Sequence, residues 1–309
     1  EQSGMYQFDP EFVIWHESTL GVRDSFYQAS QNERKNFAQS YVDKLETYLD
    51  RIKSRLPRAK VLFPNHGIIL NDNVFGNYAA KSEVSWFFQV TKLNSLLNDV
   101  AVRNNNFYLF DSVNTELYSS HIEYVQVINA ELHYTPAYLD WMSEKFTNYI
   151  ITISGKFKKC IILDLDNTLW GGIIGDDGLE GIQIGALGIG KAFTRLQKWI
   201  KELKNRGIIL AVCSKNSQEA AEQPFREHPE MVLKMEDIAV FVANWNSKAD
   251  NISNIREILN IGYDAMVFID DNPAEREIVR KHIPEIEVPE LPEDPANYLP
   301  YLISLNLFE

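Results

Sequence analysis

The sequence has no uncharged apolar run close to the roughly 18 residues that a membrane-spanning helix needs, and its first residues lack the basic-then-apolar order of a signal peptide. Basic residues are also scarce, since 30 Lys and Arg stand against 43 Asp and Glu and the net charge is -13. No stretch gathers enough Lys and Arg to follow a phosphate backbone. We therefore expect neither a membrane nor a nucleic acid as a partner.

Cysteine is nearly absent, because only Cys160 and Cys213 occur in 309 residues and each lies in an apolar stretch. Two cysteines in apolar stretches are typical of a protein in a reducing compartment and not of one stabilised by disulfides, so the predicted localisation is cytoplasmic. The 6 histidines form no pair at metal-ligand spacing, which argues against a zinc site. Any bound metal would be held by carboxylates.

A length of 309 residues, with 45% hydrophobic and 24% charged residues, is typical of a folded protein of about two domains. Strand and helix patterns alternate along the chain, which predicts the α/β class with mainly parallel sheets. A polar, glycine-containing stretch at Ser154–Lys156 places the domain boundary near residue 155. We predict two three-layer Rossmann-like domains, over residues 1–155 and 156–309.

Apolar runs and helical periodicity predict the elements of the first half. The predicted strands are Phe12–Trp15, Val61–Phe63 and Phe107–Phe110, and the predicted helices are Asn32–Leu56, Ser85–Arg103 and Pro136–Ile151. This alternation is the α/β pattern.

Three short apolar runs in the second half end abruptly in polar residues. The runs Cys160–Leu163, Ile208–Cys213 and Ala265–Ile269 are followed by Asp164–Thr168, Ser214–Asn216 and Asp270–Pro273. In open α/β sheets the ligand crevice lies beyond the carboxyl ends of the strands, so we predict that these residues line one site. Lys248, between the second and third runs, is predicted at the start of a helix.

The residues at these strand ends suit phosphoryl transfer. Asp164 and Asp166 lie two apart where a strand turns into a loop, so one can be an ionised nucleophile toward phosphorus and the other a protonated proton donor. Ser214, Lys248 and the backbone amides after Asp164 supply donors for the charge that builds on the phosphoryl oxygens. The Asp270-Asp271 pair, together with Asp164, offers the oxygen ligands that Mg²⁺ prefers.

Each piece alone also has an ordinary structural explanation. An isolated Asp-x-Asp in an acidic chain is usually an exposed turn or a helix cap, and Asp270–Pro273 would form a good turn. Ser214 alone would be an N-cap, Lys248 a solvated side chain and Cys213 a small buried hydrophobe. Their order along the chain is what favours a functional site.

This order resembles the four motifs of the haloacid dehalogenase (HAD) superfamily of aspartyl phosphotransferases, over about residues 156–309. The resemblance implies that Asp164 is the nucleophile that becomes an aspartyl phosphate. It implies that Asp166 is the general acid and base, with its main-chain carbonyl on magnesium. Ser214 would bind the phosphoryl group, and Lys248 would neutralise the nucleophile and the phosphate.

The same resemblance implies a magnesium cofactor. Asp271 would be the direct acidic metal ligand, and Asp270 a second ligand or a ligand to a bound water. HAD enzymes that act on small molecules often insert a cap domain, but Asp164 to Ser214 leaves room only for a flap at about Trp170–Gly185 and one helix. Ser214 to Lys248 leaves no room for a cap, so we expect an open site.

A closer resemblance is to the FkbH-like subfamily of HAD phosphatases. Its pattern is similar to Asp164–Gly172, Gly175–Gly178, Cys213–Asn216, Asn244-Trp245, Lys248 and Asp270–Arg276. The resemblance implies substrate contacts from Leu165, Asn167, Thr168, Cys213, Lys215 and Asn216. Family members take a glyceryl unit from a bisphosphoglycerate, release phosphate and load the unit onto an acyl carrier protein. The implied substrate is a phosphorylated small molecule or an acyl phosphate, with a carrier protein as a candidate partner.

Cys213 has two interpretations, and both stay open. Because a thiolate is a strong nucleophile, the thiol beside Ser214 could carry the acyl group as a thioester. It could equally be a buried strand residue.

Residues 1–150 resemble, more faintly, the SGNH-hydrolase region that often precedes this HAD domain. No Gly-Asp-Ser block opens the chain, and His133 follows Glu131 with one residue between them instead of the family's Asp-x-x-His. We therefore predict an incomplete, non-catalytic domain that acts as a scaffold or lid. Since the chain begins at Glu1 and no acetyltransferase-like region follows Glu309, we expect a fragment of a longer protein.

Two functions of other classes stay open. A response-regulator receiver also uses an Asp phosphate acceptor, a Ser or Thr, a Lys and an acidic pair, but there the acidic pair precedes the acceptor and the second Asp of Asp164-x-Asp166 is missing. The other is a non-catalytic phosphate-binding or interaction module with the HAD fold. Stable phosphorylation without turnover would favour the receiver, and inertness toward every phosphoester would favour the module.

Overall fold

The computed structural model describes residues 4–67, 74–112 and 134–308, and the chain divides into two compact units, Glu1–Ile150 and Ile151–Glu309. Each unit has its own parallel sheet with helices packed against it, so the predicted α/β architecture is confirmed. No helix in the described residues combines the length and the apolarity that crossing a membrane requires.

The sheet of the first unit contains parallel strands in the order β1-β2-β3. They are β1 Phe12–Ile14, β2 Lys60–Pro64 and β3 Phe107–Phe110. Val61 of β2 pairs with Val13 of β1 on one side and with Phe107 of β3 on the other, and this pairing sets the register.

Helices cover both faces of this sheet. They are α1 Gly4–Phe8, α2 Thr19–Gln28, α3 Gln31–Arg34, α4 Phe37–Arg55, α5 Trp86–Arg103 and α6 Pro136–Ile153, with a 3₁₀ turn at Gly76–Lys81. The helices α4 and α5 bury apolar residues every three or four positions, such as Val42 and Leu45, in one core with Phe63. From the other face of β3, the ring of Phe110 stacks on Phe146 of α6 with centroids 4.6 Å apart.

The predicted single helix Asn32–Leu56 is wrong, because the structure breaks it near Lys35 into α3 and α4. The buried side chain of Gln89 replaces helical hydrogen bonds at the break. Its Oε1 accepts from the amide of Ala38 at 3.0 Å, and its Nε2 donates to the carbonyl of Lys35 at 3.0 Å. Local periodicity could not reveal this partner, which lies 51 residues from Ala38 along the chain.

The sheet of the second unit has the strand order β6-β5-β4-β7, and all its pairs are parallel. Its strands are β4 Cys160–Leu163, β5 Ile209–Ser214, β6 Val240–Ala243 and β7 Met266–Ile269. Its helices are α7 Ile174–Gly181, α8 Gly190–Asn205, α9 Gln218–Glu227, α10 Lys248–Leu259, α11 Pro273–His282 and α12 Tyr298–Ser304, with 3₁₀ turns at Met235–Asp237, Tyr263–Ala265 and Pro295–Asn297.

Both faces of the second sheet are buried, as its continuous apolar runs predict. Successive residues of β4 alternate between the faces: Ile161 and Leu163 lie in one core with α8, and Cys160 and Ile162 lie in another with α10. Each fully buried aliphatic side chain contributes about 1.5–3 kcal/mol. The sheet is therefore a stable platform for the residues at its edge.

The topology of the second sheet reverses at β4. The chain runs from β4 outward to β5 and β6 and then returns to β7 on the other side of β4. A crevice forms at the carboxyl edge of such a reversal. Asp164 follows β4, Ser214 ends β5 and Asp270 follows β7, so the topology brings these three residues to that crevice.

The chain between Asp164 and Lys248, which the structure describes throughout, adds no further domain to the second unit. Besides β5 and β6 it forms α7, α8, α9 and one 3₁₀ turn. The predicted absence of a large cap is confirmed.

His66 follows β2 and is fully buried, and neither of its ring nitrogens has a hydrogen-bond partner among the described residues. Burial, with a smaller contribution from the charge of His16, lowers the pKa of His66 to about 4. The folded first unit therefore disfavours protonation of this ring.

We expect the first unit to lose stability as the pH falls from 6.5 toward about 4. In this window the unfolded chain binds a proton that folded His66 does not, so the free energy of unfolding drops by up to about 1.4 kcal/mol per pH unit. Hydrogen–deuterium exchange of the β2 amides measures the slope. His66→Phe, which suits a position between the rings of Tyr41 and Phe63, should flatten it, and an unchanged slope would contradict the assignment.

Candidate active site

Three carboxylates meet at the carboxyl edge of the second sheet. Asp164 follows β4, and Asp270 and Asp271 follow the neighbouring strand β7. One oxygen of each lies within 4.8 Å of the others. Asp164 is only 6% exposed and Asp270 is fully buried. This set of oxygen donors fits a hard divalent cation such as Mg²⁺.

Lys248 supplies positive charge to this cluster. It is the first residue of α10, as predicted, and its side chain is only 3% exposed. Its Nζ lies 3.0 Å from Oδ1 of Asp164 and 2.5 Å from Oδ2 of Asp270. An ammonium buried this deeply is stable only with such partners.

The cluster carries more negative than positive charge. Burial raises the pKa of Asp164 to about 7, with Lys248 opposing the shift and Asp270 adding to it. Burial and the charge of Asp270 also raise the pKa of Asp271. Burial acts to lower the pKa of Lys248, but Asp164 and Asp270 outweigh it and raise that pKa. One ammonium does not balance three carboxylates, and a divalent cation would supply the missing charge.

Asp166 is half-buried, and three donors fix its carboxyl group. Its Oδ1 accepts from the indole Nε1 of Trp170 at 3.1 Å and from the amide of Ile174 at 3.0 Å. Its Oδ2 accepts from Nδ2 of Asn216 at 2.8 Å. A carboxyl group held in this way is well placed for proton transfer.

An unusual turn connects the end of β4 to the segment before α7. Asn167 has a φ of 53°, in the left-handed region that Asn tolerates better than most residues. Its Oδ1 accepts from the amide of Gly172 at 2.9 Å, and Gly172 has a φ of 94°. A Cβ atom on Gly172 would lie 2.6 Å from Oδ2 of Asp177. Both the positive φ and this close contact therefore favour glycine at this position.

A cavity of about 490 Å³ opens beside the carboxylates. Of the predicted site residues, those that line it are Asp164, Asp166, Asn167, Ser214, Lys215, Asn216, Lys248 and Asp271. Ser214 is buried and accepts from Nδ2 of Asn216 at 3.2 Å, and Nζ of Lys215 lies 2.5 Å from Oε1 of Glu275. The fold thus gathers residues from all four motifs, while the role of each stays a prediction.

The structure places four predicted site residues away from the cavity wall. Leu165 lies in the apolar core, and Asp270 lies beneath the wall against Lys248. Thr168 is fully buried, and its Oγ1 accepts from the amide of Asp271 at 3.1 Å. Oγ1 of Thr168 also donates to Oδ1 of Asp271 at 3.3 Å, so Thr168 positions that carboxylate, and its predicted substrate contact stays a prediction.

Cys213 is the fourth of these residues. Its side chain is fully buried in the core with α10, and burial raises the pKa of the thiol to about 12. Because successive strand residues point to opposite faces, Cys213 faces the core while Ser214 reaches the cavity. The structure therefore favours the buried strand residue over the thioester carrier.

Arg276 is a site residue to which the sequence assigned no role. It is 5% exposed, and its Nη1 donates to the carbonyl oxygens of Asp270 and Asp271 at 2.8 and 2.6 Å. These bonds fix the backbone of the acidic pair. The sequence signal for this role is Asn272-Pro273, which caps and starts α11 just after the acidic pair and places Arg276 within the first turn of the helix.

This chain is similar to one protein family model and to several solved structures. A family model described as the FkbH N-terminal domain matches residues 1–145. The crystal structure of the N-terminal part of the protein BF1531 from Bacteroides fragilis, which contains a phosphatase domain and is complexed with Mg, is 45% identical. The match covers 100% of this chain and 81% of that chain, with a TM-score of 0.89.

Other solved structures match only part of the chain. A HAD family enzyme from Bacteroides thetaiotaomicron is 13% identical over 44% of this chain and 94% of that chain, with a TM-score of 0.31. The 3-deoxy-D-manno-octulosonate 8-phosphate phosphatase from Moraxella catarrhalis is 22% identical over 48% of this chain and 77% of that chain, with a TM-score of 0.29. These scores are too low to bear on the chemistry of this chain. No curated protein matches it.

The SGNH-hydrolase likeness of the first half stays a prediction. Glu131 and His133, on which that comparison depended, lie outside the described residues.

Replacing Lys248 tests the charge balance of the cluster. We expect Lys248→Met to lower the free energy of unfolding by about 3–5 kcal/mol near neutral pH, because it leaves buried carboxylates without their partner. The deficit should shrink toward about pH 5, since protonation removes the unpaired charge. Both effects are measured by urea-induced unfolding without added metal, with hydrogen exchange of the β4 and β5 amides as the readout.

Lys215→Met is the matched control for this change. The Lys215 side chain is 37% exposed, so loss of its pair with Glu275 should cost at most about 1 kcal/mol. Equal costs for the two variants would show that Lys248 does not stabilise the cluster.

Proposed function

Because this chain belongs to the FkbH-like family of HAD-type phosphatases, we propose that it releases phosphate from a phosphorylated small molecule or an acyl phosphate through an aspartyl phosphate on Asp164. The observation that carries this proposal is the position of Asp164 at the sheet reversal, 3.0 Å from a buried lysine and beside two further carboxylates. A structural turn or cap would not bury so much charge.

Magnesium is the cofactor of the proposed reaction. Asp164, Asp270 and Asp271 offer the ligand oxygens, and the main-chain carbonyl of Asp166 is a further candidate. BF1531, at 45% identity, was crystallised with Mg. When bound, the ion neutralises charge on the phosphoryl oxygens and on the carboxylates.

In the first step a carboxylate oxygen of Asp164 attacks phosphorus, and the bond from phosphorus to the leaving oxygen breaks. Lys248 holds Oδ1 of Asp164 and lowers the electrostatic cost of bringing an anion to a carboxylate. Asp166 gives its proton to the leaving oxygen. Its Oδ1 accepts two hydrogen bonds and its Oδ2 accepts one, from Nδ2 of Asn216, so Oδ2 is the oxygen proposed to carry the proton.

In the second step a water attacks phosphorus, and the bond from phosphorus to Asp164 breaks. Asp166, now ionised, takes a proton from that water, and inorganic phosphate leaves. Asp164 is again a carboxylate and Asp166 is again protonated, so the cycle closes. Ser214, which lines the cavity, is proposed to donate its hydroxyl hydrogen to a phosphoryl oxygen, and Asn216 to orient that hydroxyl and Asp166 through its two Nδ2 hydrogens.

For loading of an acyl unit onto a carrier protein we propose a route without an aspartyl phosphate, because attack on phosphorus would release the acyl group as an unactivated carboxylate. The thiolate of the carrier attacks the carbonyl carbon of the acyl phosphate, the bond from that carbon to the phosphate oxygen breaks, and inorganic phosphate leaves. The family resemblance supports this step, and the uncapped second unit fits a large partner. The burial of Cys213 argues for direct transfer to the carrier without a thioester on this chain. We further propose that residues 1–155 are a non-catalytic scaffold or lid and that 156–309 carry the reaction.

Asp164→Asn should reduce magnesium-dependent phosphate release to the background rate, because an amide is a poor nucleophile toward phosphorus. The assay uses acetyl phosphate and para-nitrophenyl phosphate, with and without a carrier protein, and chelation of magnesium should also stop release. Asp176→Asn, which changes an exposed carboxylate of the same cavity, should retain most of the activity. A folded Asp164→Asn variant with most of its turnover would remove Asp164 as the nucleophile.

The same assay separates the two other functions. Labelled phosphate that stays on the chain without turnover would favour a receiver. A chain that neither turns over nor becomes labelled with any phosphoester would favour a binding module.

Asp166→Asn should lower kcat by roughly 10²-fold or more, since the second step loses its base. With acetyl phosphate, whose leaving group needs little protonation, the phosphorylated chain should accumulate and be detectable after acid quench. Metal binding should change little, because only the main-chain carbonyl of Asp166 is a candidate ligand. An unchanged kcat would remove Asp166 from the acid and base role.

A further inference from the structure

Trp245 lies at the wall of the cavity and is 75% exposed. In the described part of the chain, its indole neither stacks on another ring nor forms a hydrogen bond. Ile173, 44% exposed, lines the same cavity from the segment before α7. Two large apolar side chains are therefore open to solvent in a cavity whose other lining residues are mostly polar.

The loop that carries Trp245 is held rigidly. The side chains of Asn244 and Asn251 bond each other twice, at 2.8 and 3.2 Å, and the amide of Asn246 donates to Oδ1 of Asn244 at 2.9 Å. The amide of Asn244 also donates to the carbonyl of Ser214 at 3.2 Å. An exposed aromatic ring on a braced loop loses little conformational freedom on binding, which is typical of a recognition anchor.

Ile173 is tied to the proposed acid and base. The next residue, Ile174, donates its amide to Oδ1 of Asp166 at 3.0 Å, and the amide of Ile173 donates to Oδ2 of Asp177 at 2.8 Å. The apolar side chain therefore has a fixed position relative to Asp166. Ile173 and Asp166 line the same cavity, so a group that packs on Ile173 lies in the cavity that Asp166 also faces.

We propose that Trp245 and Ile173 bind the carbon-bearing, non-transferred part of the substrate and give the site a preference for flat or apolar leaving groups. This inference rests on the proposed function and concerns its substrate class. In the proposed reaction the phosphoryl group lies against Asp164 and Lys248, with a bound divalent cation offsetting the excess negative charge of the cluster, so the remainder of the molecule extends into the cavity that Trp245 and Ile173 also line. Packing of an apolar group on an indole contributes beyond the area that it buries.

The test compares two substrates in Trp245→Ala and Trp245→Phe. We expect Trp245→Ala to lower kcat/KM for para-nitrophenyl phosphate by at least about fivefold and to change that for acetyl phosphate by less than about twofold. Trp245→Phe should retain most of the activity on both. Ile258→Ala removes a side chain that is 59% exposed on α10 outside the cavity wall, and it should change neither value.

A second measurement separates this inference from the proposed function. Calorimetry in the presence of magnesium should show that the native chain binds phenylphosphonate at least about fivefold more tightly than methylphosphonate, and that Trp245→Ala loses this preference. If the native chain turned over neither substrate, the proposed function would fail, and the phosphonate preference alone would decide the role of Trp245. The inference would be overturned if Trp245→Ala lowered kcat/KM equally for both substrates. It would also be overturned if this variant lowered neither value and the native chain did not prefer phenylphosphonate.

Discussion

The second unit depends on a buried lysine that lies between two carboxylates. Nζ of Lys248 is 3.0 Å from Asp164 and 2.5 Å from Asp270, in a place almost closed to solvent. Burying any one of these charges alone would cost several kcal/mol, so they tolerate burial only as a set. The set is nevertheless unbalanced, because Asp271 adds a third carboxylate. The same arrangement therefore stabilises the fold and leaves a demand for a cation.

The parallel sheet gives this set its geometry. Because β4 lies between β5 and β7, the residues that end these strands meet without any long loop. Arg276 fixes the carbonyls after β7, and the pair Asn244 and Asn251 braces the loop that leads to Lys248. Groups held in this way need little rearrangement when charge develops on a phosphoryl group. The geometry thus supports the proposed chemistry through rigidity as much as through residue type.

Local sequence patterns predicted β1 to β5, β7 and the helices α5 and α6, while β6 was not predicted, and the failure at Asn32–Leu56 has a clear cause. Gln89 forms hydrogen bonds that end one helix and begin another, and it comes from a different helix of the same core. Local patterns are limited in the same way in predicting which motif residues reach the cavity. Strand alternation implies that Cys213 and Ser214 face opposite sides, but only the packing of α10 decides which of them faces the apolar core.

The sequence alone predicted the two parallel sheets, the uncapped second unit and the acidic, serine and lysine side chains at strand and helix ends. It could do so because a short apolar run is a buried strand and the polar residues after it lie at its end. Tertiary packing places Lys248 against Asp270 as well as Asp164, holds Asp166 through Trp170 and Asn216, and leaves Trp245 exposed at the cavity. These facts depend on distances of a few ångströms between segments far apart in the chain, and no local propensity encodes such distances.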